Sequence, residues 1–522
     1  MQPSIQKCTN PLASSLPGDC KRSWPWTPSG WPVFLYARIG FILLMLALGF
    51  LLVWDRSLAG EPQAAALVRI EIASDRQLER FAALDLPIYA QLWDDRGEMY
   101  LLVEGDLETQ VQLDQLAFSY QVLDPDAREA AYYLLYTPHP LDETRLSAVT
   151  TILDRTARHI LVRGYPLETG DGTFITYEIQ RLIPHPLVLP DPQAELQSIT
   201  AVSPDPYVQS MIEQVGSATA YTYVGNLSGA WDILINDNPY RLSTRHSFSG
   251  IPIKKATKFV YEHFAALGLA SDFDDYLLVD VPLRHVIAEQ PGLTNPGCLI
   301  LLVAHLDSRS EDLYASNATA PGADDNASGS AGVLMAADVL HQYDFACTIR
   351  YILFTGEEQI ALPQLDYFGS TIYAQEIKGL GENVAAVINL DMIGYNSDIY
   401  EIIELHTRYG NAGDLAIANL FKSVIQEYDI NLTTEIEQDN LSWSDHWSFW
   451  HVGYPAILAM EDWEDFTPYY HKTSDQLNTL DISYMRNFIR AAVGTVAHLA
   501  GPLPPEPPLD VQLFIPLILK SE

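Results

Sequence analysis

Positive charge is scarce in this chain: 30 lysines and arginines stand against 67 aspartates and glutamates over 522 residues, a net charge of −37. A polyanion of that size is repelled by nucleic acid and by anionic lipid, so neither is expected as a partner. Cysteine is scarce too, with four residues and no CxxC pair, which excludes a zinc site built from cysteines. Cys8 and Cys20 precede the long apolar segment. Cys298 and Cys347 each sit at the start of an apolar strand-like run; they would bond if those strands are neighbours, and otherwise stay buried thiols. G-x-S-x-G and H-E-x-x-H are both missing, which argues against an α/β serine hydrolase and a one-zinc protease helix.

What the chain does have is ordinary globular texture, 48% hydrophobic and 19% charged, in a length that needs two or more cores. Residues 1–38 are polar, rich in Pro and Trp, and mildly basic (Lys7, Lys21, Arg22, Arg38). Residues 39–54 are apolar throughout, short for a membrane span and slightly long for a signal-peptide core. Ser57 and Ala59 are small residues at the positions a signal peptidase reads, so residues 1–59 are expected to be cleaved after Ala59; the alternative is a retained signal anchor. Either reading places the rest of the chain outside the cytoplasm, secreted or held at a membrane only through residues 39–54.

From Leu67 the pattern becomes legible. Residues 67–73 alternate as a strand, and Ser74 with Gln77 reads as a capping box opening a helix with Leu78, Phe81 and Leu84 on one face. Residues 88–93 and 99–103 read as a hairpin, 109–118 as a helix and 120–123 as a strand. The order β-α-β-β-α-β predicts a small ferredoxin-like α+β unit. Residues 127–190 read as β-rich, with a turn at Gly170-Asp171-Gly172. Residues 60–200 show no histidine cluster and no Gly-rich phosphate loop, so they are expected to be a pro- or accessory domain, ending in a Pro-rich linker around 184–206. In 201–502, amphipathic helices (207–215, 256–267) alternate with apolar strands (298–304, 348–354, 384–390, 454–460). That alternation predicts an α/β domain, a three-layer αβα sandwich around a mostly parallel mixed sheet. In the tail, 503–522, the apolar run 511–519 reads as an edge strand or a sorting signal.

Polar residues gather where these strands end. The first strand runs into His305-Leu306-Asp307-Ser308, and Gly322-Ala323-Asp324-Asp325-Asn326-Ala327-Ser328-Gly329 follows. The second runs into Thr355-Gly356-Glu357-Glu358, the third into Asp391-Met392, and Tyr470-His471-Lys472-Thr473-Ser474-Asp475 comes after the fourth. Ligands of open α/β sheets sit beyond the carboxyl ends of the strands. Clustered carboxylates repel unless a cation neutralises them, and carboxylate with imidazole suits zinc. Two histidines and three carboxylates exceed one tetrahedral site, so a metal pair sharing a carboxylate fits better.

In these motifs, HLDS, PGADDNASG, TGEE, NLDM and YHKTSD in that order, residues 205–500 resemble the double-zinc aminopeptidases and glutamate carboxypeptidases, family twenty-eight of the metallopeptidases. The resemblance implies two zinc ions per chain and peptide substrates cut from the N-terminus. It implies that His305 and Asp391 bind one zinc, Glu358 and His471 the other, that Asp325 bridges them, and that Glu357 is the general base. Asp307 would orient His305, and Ser444-Asp445-His446 looks like the family's SDH segment. Where some members have a tyrosine and a cysteine pair before SDH, this chain has Asn440-Leu441-Ser442-Trp443. Tyr470, directly before the last zinc histidine as in other members, is therefore expected to hold the oxyanion. Two alternatives share the scaffold: a carboxypeptidase, which needs cations to grip a substrate carboxylate, and a one-zinc glutaminyl cyclase. Trp443, Trp447, Phe449 and Trp450 are expected either to line the substrate pocket or to pack in the core.

Overall fold

The computed structural model describes residues 65–128, 130–136, 146–147, 150–157, 159–164, 178–182, 184–187, 202–278, 280–312, 315–358 and 369–504. The apolar run 39–54, the turn at 170–172 and the tail strand 511–519 lie outside the described residues. Among the described residues, no helix is long and apolar enough to cross a membrane.

The N-terminal part opens with β1 (Ala66–Ile72), α1 (Asp75–Ala82), β2 (Pro87–Trp93), β3 (Met99–Gly105), α2 (Leu107–Gln115) and β4 (Tyr120–Asp124). Its antiparallel sheet runs β4-β1-β3-β2, the ferredoxin-like order. The capping box does not form: the Ser74 side chain caps nothing, and Gln77 Oε1 accepts at 2.7 Å from Ala73 N, one residue before the N-cap. Period-two alternation gives this sheet two apolar faces. Val68, Ile70, Leu101 and Val103 pack with Leu78 and Phe81 of α1 and Leu113 of α2, whereas Leu67, Tyr100 and Leu102 face the other way. A second antiparallel sheet follows, ordered β6-β7-β5-β8, from β5 (Tyr132–Tyr136), β6 (Thr151–Arg155), β7 (His159–Arg163) and β8 (Glu178–Leu182).

The expected linker has structure at both ends. β9 (His185–Pro186) pairs with β2, and α3 (Pro206–Ile212) starts on a proline, with Asp205 capping Tyr207 N at 2.8 Å.

Next come α4 (Ser217–Leu227), the hairpin β10 (Asp232–Ile235) and β11 (Asn238–Arg241), α5 (Ile251–Ala266), β12 (Ala270–Leu278), β13 (Val281–Gln290) and β14 (Asn295–His305). Then follow α6 (Gly329–Leu340), β15 (Asp344–Phe345), β16 (Cys347–Phe354), α7 (Gly369–Gly379), β17 (Asn383–Leu390) and β18 (Ile402–His406). The chain continues through α8 (Ala412–Glu427), β19 (Thr433–Glu437), α9 (His446–His451), β20 (Ala456–Glu461), α10 (Ile482–Ala500) and β21 (Pro502–Leu503). The large sheet is ordered β12-β13-β16-β14-β17-β20-β18-β19. Its centre, β16-β14-β17-β20, is parallel. The pairs β12/β13, β13/β16 and β18/β20 are antiparallel.

Both faces of the large sheet are covered, as a parallel centre requires. Ile300, Leu302 and Ala304 of β14 point into the core built with α3 to α6, α8 and α10. Leu299, Leu301 and Val303 point into the core built with α7 and α9. The result is the expected three-layer arrangement of mixed α/β type. Because β14 and β16 are neighbours, Cys298 and Cys347 meet and form a disulfide, with Cα atoms 5.0 Å apart.

Candidate metal centre

The four parallel strands end on the same side, and each end delivers a polar side chain. His305 closes β14, Glu357 and Glu358 lie four residues or fewer past β16, and Asp391 follows β17 directly. Asp325 comes from the loop before α6, and His471 from the loop after β20. All six side chains are largely withdrawn from solvent.

Asp325 sits in the middle. His305 Nε2 lies 3.4 Å from its Oδ1, and His471 Nε2 lies 3.1 Å from its Oδ2. On one flank His305 Nε2 is 3.1 Å from Asp391 Oδ1; on the other His471 Nε2 is 3.2 Å from Glu358 Oε2. Donor atoms of His305, Asp325 and Glu358 fall within 4.8 Å of one another, as do those of His305, Glu357 and Asp391. Glu357, expected as a base, lies slightly farther out: its Oε2 is 3.9 Å from His305 Nε2, against 3.1 Å for Asp391 Oδ1 and 3.4 Å for Asp325 Oδ1. Glu358 Oε1 is buried with no hydrogen-bond partner among the described residues. So many facing carboxylates and imidazole nitrogens, with an oxygen left over, fit a bound divalent cation of the zinc type.

The electrostatics agree. Burial alone would raise Asp325, yet His305 and His471 hold its carboxyl below the usual carboxylate range. Burial opposes the charge on His305, but Asp391 and Glu357 outweigh it and raise its pKa. Glu357 is pushed up, mainly by burial, against the pull of His305. These are the shifts expected where buried carboxylates and imidazoles crowd one another.

Around the centre the backbone is held in place. Asp475, in the YHKTSD motif, accepts from the amides of Asp324 (2.9 Å) and Asp325 (3.1 Å). Arg245 is fully buried and donates to the carbonyls of Leu306, Pro321 and Gly322, tying the His305 strand end to the Asp325 loop. Gly322 has φ +50°, and a Cβ there would lie 2.3 Å from Asp325 O; one on Gly329 would lie 2.2 Å from Leu390 O. Both glycines are thus demanded by close approach. Ser444 donates to Asp391 Oδ2 at 2.6 Å and is itself held by Asn389. His305 Nδ1 lies 3.2 Å from the backbone carbonyl of Asp307 and 3.7 Å from its Oδ1, so the carbonyl orients the ring more closely than the expected carboxylate. The other oxygen of the Asp307 carboxylate, Oδ2, accepts from Ser247 and from Gly356 N, fixing the turn before Glu357. His471 has φ +53°, a left-handed conformation that non-glycine residues seldom adopt.

Two residues here are new relative to the sequence reading. Arg309, one place past HLDS, donates to Glu358 Oε2 at 2.8 Å and also contacts His471 Nδ1. Tyr136, from a region read as without chemistry, lines the cavity over His305, Asp325, Asp391 and His471. Tyr470 lines it too and stacks on His471, with ring centroids 3.5 Å apart. The aromatic run divides: Trp443 lines the cavity, while Trp447, Phe449 and Trp450 pack in the core beneath α7. His446 is a structural residue, its Nε2 2.6 Å from Leu441 O, and burial lowers its pKa to about 3.

Residues 285–496 match peptidase family M28. The chain is similar to a probable aminopeptidase of Saccharomyces cerevisiae, 30% identical over 225 residues, covering 41% of this chain and 57% of that protein. It is similar to leucine aminopeptidase 1 of Trichophyton rubrum, 31% identical with the same coverage. The chain thus spans little more than half the length of these two relatives. Among solved structures, the LapA aminopeptidase of Legionella pneumophila aligns over 71% of this chain and 98% of its own, at 18% identity and a TM-score of 0.49.

Proposed function

We propose, from the match of residues 285–496 to peptidase family M28, that this chain is an exported aminopeptidase that uses two zinc ions to remove N-terminal residues from peptides. The observation that carries the proposal is Asp325: its two oxygens face the Nε2 atoms of His305 and His471, one each. That is the disposition of a bridging carboxylate. His305 and Asp391 would complete one site, Glu358 and His471 the other. Bound there, zinc polarises the scissile carbonyl and acidifies water.

The chain's own residues supply the rest. Glu357 takes the proton of the attacking water and returns it to the leaving amine. Tyr470 donates its hydroxyl to the oxyanion. Arg309 is engaged with Glu358 and His471, and the cavity lining holds no lysine or arginine among the described residues. A substrate carboxylate would find no free cation there, whereas an α-ammonium group meets Asp and Glu, which favours an aminopeptidase over a carboxypeptidase. Export is supported by the apolar run 39–54 and by the Cys298–Cys347 disulfide, a bond of oxidising compartments.

The test is to assay the purified chain on amino-acid 4-nitroanilides and on N-blocked analogues, before and after a chelator. Hydrolysis of the free-amine substrates alone, lost with chelator and restored by zinc, is expected. Hydrolysis of the blocked substrates at equal rate, or chelator resistance, would refute the reading.

A further inference from the structure

We propose that Tyr136 of the N-terminal region is a specificity-determining residue: it forms the outer wall of the pocket that takes the side chain of the substrate's first residue. The proposal rests on the aminopeptidase reading above. β5 alternates, so Tyr132, Leu134 and Tyr136 share one face while Tyr133 and Leu135 share the other. The first face packs on Leu441, Leu458 and Met460 of the metal-bearing domain. Tyr136 ends the strand there, buried at 7% exposure. Its ring meets Trp443 edge-on, with centroids 4.4 Å apart, and is backed by His159 at 5.8 Å. His159 is fixed in turn by Tyr100 at 2.7 Å and Thr156 at 3.0 Å, so the wall is braced from behind.

The same Tyr136 lines a small cavity, about 40 Å³, whose floor is His305, Asp325, Glu357, Asp391 and His471. Apart from Ser444, the rest of that lining is apolar or aromatic, including Leu458, Met460, Trp463 and Phe466. Beyond it lies a chamber of about 710 Å³, also lined by Tyr136, Trp443 and Trp463. These three rings therefore partition the metal pocket from the chamber. A pocket closed this way holds one apolar side chain of moderate size, such as leucine, and rejects a larger one. The N-terminal region is then part of the substrate site, present in every turnover.

The experiment compares full-length wild type with Tyr136→Ala and Tyr136→Trp on alanyl, leucyl and tryptophanyl 4-nitroanilides, with zinc content and melting temperature measured alongside. In Tyr136→Ala the KM for the leucyl substrate should rise about tenfold with kcat within about twofold, since a lost pocket contact weakens binding rather than chemistry. The alanyl substrate, whose methyl does not reach the wall, should be nearly unaffected. The tryptophanyl-to-leucyl ratio of kcat/KM should rise about tenfold as the partition opens. If Tyr136→Ala does not fold, Tyr136→Trp keeps the interface ring and should lose leucyl activity while retaining alanyl activity. Equal changes on all three substrates, or none, in a folded, zinc-loaded variant would overturn the inference alone. A wild type inactive on every aminoacyl substrate would overturn the aminopeptidase reading and this inference with it.

Discussion

Replacing Glu357 by glutamine removes the proposed proton carrier but leaves the expected ligands in place. The Glu357→Gln chain should bind as much zinc as wild type and lose about 10²–10⁴-fold in kcat. Retention of most of kcat would transfer the base role to another group. His406 gives a second prediction at this scale, away from the metal centre. Its ring lies 3.0 Å from both Glu404 and Asp439. Burial would lower its pKa, but Asp439 and Glu404 together hold it up at about 10. A folded pKa above the ordinary value near 6.5 means the stabilisation is fully present below about pH 6.5 and is lost as pH climbs toward 10. Urea unfolding across that window should show stability falling with pH, and His406→Gln should flatten the slope; an unchanged slope would contradict the ion-pair account. The residues legible from sequence were those in motifs at strand ends, because order and spacing along the chain report them. Arg309 lay one place beyond the motif considered. Tyr136 carried no signal, since its partners Trp443 and Trp463 lie some three hundred residues on.

The four central strands of the large domain and two of its helices, α3 and α5, were readable, with boundaries shifted by up to five residues, whereas α4, α7 to α10 and the flanking strands β12, β13, β18 and β19 were not. Cys347 starts β16 and Ile251 starts α5, where the sequence pattern suggested starts at 348 and 256. Pairing was not readable, because it depends on which strand lies beside which. The Cys298–Cys347 bond shows the difference: two strand starts 49 residues apart become neighbours only in the order β16-β14-β17. In the chain-entropy account, closing a loop of that length stabilises the fold by about 4 kcal/mol. Cys298→Ser with Cys347→Ser should lower unfolding free energy by about 2–4 kcal/mol with little change in kcat, since the bond lies at the end of the sheet opposite the metal centre. A kcat loss as large as the stability loss would tie the two ends of the sheet together.

Over the whole molecule, the N-terminal sheets and the metal-bearing domain share one apolar core. Leu67, Tyr100 and Leu102 from the first sheet and Leu134 and Tyr136 from the second close over Leu441, Leu458 and Met460. From this shared core we propose a permanent accessory domain rather than a removable pro-domain. Exposing Leu441, Leu458 and Met460 would cost about 1.5–3 kcal/mol each. Residues 202–522 made alone should therefore melt lower and aggregate more than the full chain, and cleave leucyl substrates more slowly. Faster cleavage by that fragment would favour the pro-domain alternative. All of this depends on the proposed metal pair centred on Asp325. The most direct check is to strip the chain with chelator, titrate zinc back, and follow bound metal and leucyl 4-nitroanilide hydrolysis together. Two zinc ions per wild-type chain at full activity, and loss of both in Asp325→Ala, are predicted; full activity with a single zinc, or Asp325→Ala retaining two, would contradict the account.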